Sequence, residues 1–73
     1  MKKSILKKIH IAIEKIGTQA EVAAIFNITQ PAISKWKKNG VPISKTILFC
    51  KALREQKSGF ILEPSEIHPD VFL

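Results

Sequence analysis

The chain has 73 residues and a single cysteine, Cys50, and it carries 12 Lys and Arg against 6 Asp and Glu for a net charge of +6. That length makes one domain, 1–73, near the lower limit for an independent core, and it excludes a two-domain enzyme. One cysteine leaves no intramolecular disulfide and no cysteine-based metal cluster, while the basic balance favours a polyanionic partner and would also suit an anionic membrane surface. The charge is uneven: residues 1–58 hold every Lys and Arg against Glu14, Glu21 and Glu55, a balance of +9, whereas residues 59–73 carry Glu63, Glu66 and Asp70, a balance of −3.

The first predicted element is a helix, because Ile5, Leu6, Ile9, Ile13 and Ile16 recur at helical spacing and Gly17 follows as a stop. Ile9, Ile11 and Ile13 also alternate as a strand would, but the helical match is longer. This helix is expected to pack across the pair that follows it. Lys2, Lys3, Lys7 and Lys8 are open to two readings, phosphate contact or a solvated end. Lys7 and Lys8 interrupt the apolar run of MKKSILKK after two residues, so no secretory or membrane-spanning segment is expected and the cytoplasm of a bacterial or phage-infected cell is.

Residues 18–38 carry the strongest signal. Thr18 and Glu21 form a capping-box pair, Val22, Ala23 and Phe26 share one helical face, and Asn27 stands where the chain must turn. Thr29 is placed to cap a second helix, which tolerates Pro31 in its first turn; Ile28, Ile33 and Trp36 complete the inward set. At 100° per residue, Pro31, Ser34, Lys35 and Lys38 lie opposite Ile33 and Trp36, with Gln30 at the edge of that cluster. No acid occurs between Gln30 and Lys38. Short, amide and cationic side chains on one exposed helical face suit the major groove of DNA, although Lys35, Lys37 and Lys38 would also fit an ordinary solvated face.

Asn39-Gly40-Val41-Pro42 reads as a turn, and Pro42 opens a further helix whose inward residues are predicted as Ile43, Ile47, Leu48, Cys50 and Leu53. Cys50 is expected to be a small core hydrophobe. Ser58-Gly59 should end that helix. The tail, 59–73, then offers an extended Phe60-Ile61-Leu62, a turn or single helical turn at Pro64-Ser65-Glu66, and an extended exit at His68-Pro69. Phe60, Ile61, Leu62, Ile67, Val71, Phe72 and Leu73 are more apolar surface than one copy need cover, so a homodimer through the tail is expected; the alternative is that the tail caps its own core.

The stretch from Thr18 to Trp36 resembles the helix-turn-helix of phage Cro and repressor proteins. It is most similar to small YdaS-like, Cro-type prophage regulators through Thr18, Gln19, Ala23, Thr29, Gln30, Pro31, Ala32, Ile33, Ser34, Lys35 and Trp36, then Gly40, Val41 and Pro42, and, in the tail, Ile67, Pro69, Asp70 and Phe72. The likeness spans Gly17 to Phe72, with Asn27 where glycine is usual and His68 where arginine often precedes the proline. It implies a mainly α fold, a small four-helix, lambda-repressor-like domain with a short extended or one-turn tail. It also implies a transcriptional regulator that binds double-stranded operator DNA, expected to be a near-palindrome. Gln30, Pro31, Ser34 and Lys35 would face the bases, and Gln19, Lys37, Lys38 and Asn39 the phosphates. An antitoxin or antirepressor-like interaction module with the same fold is the second reading. Enzymatic activity is not expected, since His10 and His68 have no cysteine or histidine neighbours at metal-ligand spacing and neither paired carboxylates nor a Gly-rich phosphate loop occur; no metal, cofactor or small-molecule substrate is implied.

Overall fold

The computed structural model describes residues 3–72 of the chain. Lys2, the Lys3 side chain and Leu73 therefore lie outside the described residues. Five helices follow one another: α1 Lys3–Ile16, α2 Gln19–Ile25, α3 Gln30–Asn39, α4 Ile43–Glu55 and α5 Pro64–Ile67. There is no strand among the described residues. The alternation of Ile9, Ile11 and Ile13 is thus incidental to a helix that buries Ile5, Ile9, Ala12, Ile13 and Ile16.

Helix α2 begins as its sequence dictates. The Glu21 N–H donates to Thr18 Oγ1 at 3.2 Å, and the Thr18 N–H donates to Glu21 Oε1 at 2.9 Å, so two otherwise unpaired donors are satisfied. It ends in a Schellman turn: Asn27 takes φ 54°, its N–H donates to the Ala24 carbonyl, and the Ile28 N–H donates to the Ala23 carbonyl at 2.9 Å. Thr29 is the N-cap of α3 but makes no side-chain cap bond, and Pro31 occupies the first turn. Gly40, at φ 96°, closes α3 by donating its N–H to the Trp36 carbonyl.

Helix α1 packs on α2, α3 and α4, α2 packs on α3, and α5 packs on α4. Val22, Phe26, Ile33 and Trp36 all reach the shared core. Three rings join α2, α3 and α4: Phe26 meets Trp36 edge-on at 5.3 Å between centroids, Trp36 meets Phe49 edge-on at 6.0 Å, and Phe26 stacks on Phe49 at 6.1 Å. These contacts set the angle at which α3 leaves the domain.

The expected inward face of α4 is corrected. Ile43, Ile47 and Leu48 are 50%, 54% and 52% exposed, whereas Thr46, Phe49, Cys50, Ala52 and Leu53 are buried. Phe49 was not among the predicted inward residues. Helix α4 bears apolar side chains around much of its circumference, so spacing alone does not select the face; docking against the Phe26 and Trp36 rings does. Pro42 is the N-cap rather than the first helical residue, and its carbonyl accepts from buried Thr46 Oγ1 at 2.8 Å. The helix also stops before Ser58-Gly59, at Glu55, through a left-handed Lys57 at φ 53°.

The tail folds back in part. Leu62 and Ile67 are buried, Phe60 and Phe72 are half-buried, and Ile61 and Val71 are exposed. Of the two forms expected at 64–66, the helical turn is the one present, with a capping box between Glu63 and Glu66. The His68 ring Nε2 hydrogen-bonds the Val41 carbonyl, which ties the tail to the α3–α4 turn.

Candidate nucleic-acid interface

Once Ile33 and Trp36 anchor α3, the rotation of the helix is fixed and its other side faces solvent. Gln30, Pro31, Lys35, Lys38 and Asn39 are exposed, and Ser34 and Lys37 are half-buried at the edge. The four predicted base-facing residues, Gln30, Pro31, Ser34 and Lys35, thus share one side of one helix. Lys37 lies apart from Lys38, on the flank toward α1.

Gln19, at the start of α2, reaches across to α3. Its amide Nε2 donates to the Gln30 carbonyl at 2.9 Å and to Ser34 Oγ at 2.8 Å. Gln19 and Ser34 are therefore one unit, a pairing across 15 residues that neither residue signals alone.

The lysines of α1 separate into two groups. Lys7, with Leu6, His10 and Ile11, lines a shallow depression whose far wall is Lys37 of α3. Lys8 turns the other way and pairs with Glu66 of α5 at 3.7 Å. The sequence left both open between phosphate and solvent, because their placement depends on how α1 crosses α3. His10 pairs with Glu14 one turn on at 2.9 Å. Glu63 pairs with Arg54 at 2.9 Å, so two of the three tail acids are engaged by α1 and α4 and none by α3.

Cys50 is a free, buried cysteine whose thiol is pushed up to about 11, chiefly by desolvation and then by Glu63, with Arg54 opposing. It stays protonated near neutrality and behaves as a core side chain. Among the described residues, no three His, Cys, Asp or Glu side chains gather to hold a metal ion, and no helix is long and apolar enough to cross a membrane.

Residues 9–73 match the sequence pattern of a family described as bacterial toxin YdaS. The chain belongs to the YdaS family. Membership places it among small bacterial and prophage proteins. The match takes in the whole α2–α3 pair, the ring cluster and the tail of this YdaS-family chain, and it begins at Ile9, just after Lys7 and Lys8. No curated protein and no solved structure matches it significantly.

Proposed function

We propose that the protein is a sequence-specific double-stranded DNA-binding transcriptional regulator, a Cro-type phage or prophage repressor that reads its operator through α3. The observation that carries this reading is the exposed, acid-free side of α3, where Gln30, Pro31, Ser34 and Lys35 stand together. Gln30 suits the N6 and N7 edge of adenine, and Lys35 suits guanine O6 and N7; each pairing discriminates by roughly 1–3 kcal/mol. Lys37, Lys38 and Asn39 meet the phosphate backbone, and Gln19 holds the entry of α3 beside it. Phosphate contacts of this kind supply affinity and register rather than sequence choice.

The protein acts as a cytoplasmic homodimer on a near-palindromic operator, without cofactor, substrate or catalysis. Support for two copies comes from Ile43, Ile47, Leu48 and Val71, which remain about half exposed after the tail has folded back. The deciding experiment is selection on a randomised duplex pool at near-physiological salt. An enriched inverted repeat is the expected result; an unenriched pool would defeat the reading. Lys35→Ala should change the selected sequence, whereas Lys38→Ala should weaken all sequences alike and lower the salt slope by about 1.

The same exposed apolar residues favour one second reading, an antitoxin or antirepressor-like module that engages another protein. Its signature is weak binding of similar strength on every duplex.

A further inference from the structure

The exposed residues of α3 are Gln30, Pro31, Lys35, Lys38 and Asn39, and all but one end in an amide or an ammonium group. Pro31 is the exception: its ring carries only methylene groups, and its nitrogen has no hydrogen to donate. At 100° per residue Lys38 falls within about 20° of Pro31, with Ser34 about 60° to one side and Lys35 about 40° to the other. The ring therefore stands in the middle of the exposed side and not on its flank. The Ala32 N–H is given to the Thr29 carbonyl at 3.1 Å. With no N–H on Pro31 and that of Ala32 engaged, the first turn of α3 has little to offer a phosphate. What it does offer is a rigid apolar surface, which loses no rotamer freedom on contact, unlike Gln30 or Lys35.

We infer that Pro31 is a specificity-determining residue that recognises the C5-methyl group of a pyrimidine, so that the base it faces is thymine. Thymine is the one base of the four that projects a methyl group into the major groove. Against the O6, N7 or amino groups of another base the ring would displace water and return no hydrogen bond, which weakens binding. The same chemistry ranks 5-methylcytosine above cytosine and uracil below thymine. This rests on the reading of α3 as the base-facing helix.

The test starts from duplex-pool selection with the full chain, which should give a motif containing thymine in each half-site. Each motif thymine is then replaced by deoxyuridine, which keeps every hydrogen-bonding group and removes only the methyl. At one thymine per half-site this should weaken wild-type binding about fourfold, the worth of one buried methyl group. Cytosine placed there should bind more weakly than thymine, and 5-methylcytosine should recover about fourfold over cytosine. Pro31→Ser, checked for native helicity by circular dichroism, should bind the thymine and deoxyuridine duplexes alike and lose the preference for thymine at that position alone. A motif without thymine, or deoxyuridine that is neutral at every motif position, would overturn the inference. So would a methyl effect that persists undiminished in Pro31→Ser, since another group would then be feeling the methyl. If Pro31→Ser does not fold, Pro31→Ala, which removes most of the ring, decides the matter by reducing the methyl effect or leaving it intact. An unenriched wild-type pool would defeat the DNA-reading proposal itself.

Discussion

At the residue scale the helix-turn-helix depends on two local devices, the cap at Thr18 and the left-handed Asn27. Hydrogen bonds from the Thr18 backbone, and then from its side chain, hold the Glu21 carboxyl below its ordinary value of 4.5. A lowered carboxyl stabilises the fold above its unfolded pKa and loses that contribution as pH falls through the folded one. Thr18→Ala removes the hydroxyl that accepts from the Glu21 N–H and should cost about 1 kcal/mol at pH 7 in urea melts; the Thr18 backbone N–H, the larger cause of the lowered Glu21 carboxyl, remains, so the gap to wild type should change little as pH drops below 4.5. Asn27 takes a φ of 54°, in the left-handed region where asparagine is accommodated. Asn27→Gly should be close to neutral, whereas Asn27→Val, β-branched at positive φ, should cost roughly 1–3 kcal/mol by the same melts.

At the element scale, α4 presents one face inward for reasons outside its own sequence, whereas α1 buries the face its own spacing marks. Phe49 is fully buried between Phe26 and Trp36, and removing its ring would leave a cavity beneath the α2–α3 pair. Phe49→Ala should cost about 3–5 kcal/mol, enough to unfold most of a chain this small, while Ile47→Ala on the exposed side should cost less than about 1 kcal/mol. Circular dichroism during urea titration separates the two. On α1, Lys7 stands beside Lys37 and Lys8 beside Glu66, so adjacent lysines have different neighbours. Lys7→Ala should lower the slope of DNA affinity against salt by about 1, and Lys8→Ala should leave it unchanged.

At the scale of the whole molecule, one chain measures 30 × 25 × 20 Å. Half-sites one helical turn apart lie about 34–36 Å from each other, so a single copy engages one of them and a palindrome calls for two. Ile43 and Val71 border the same groove, formed where the tail crosses the start of α4. Ile43→Glu keeps an acceptable residue at a helix start. It should yield a monomer in sedimentation experiments that still binds a half-site but loses the extra affinity of the full operator. A wild-type chain that sediments only as monomer, with or without operator, would contradict the dimer.

What was legible in the sequence was local. The cap at Thr18 and Glu21, the turn at Asn27, the inward Ile33 and Trp36 and the cationic outward side of α3 are all written within a few residues of one another, where helical geometry alone dictates neighbours. The sequence also determined that the basic residues precede an acidic tail. The tertiary structure alone decided which side of α4 is buried, that Leu62 and Ile67 fold back while Val71 does not, which α1 lysine reaches α3, and that Gln19 holds Ser34. Each of these joins residues distant in the chain, and periodicity within one helix says nothing about the angle at which another helix crosses it.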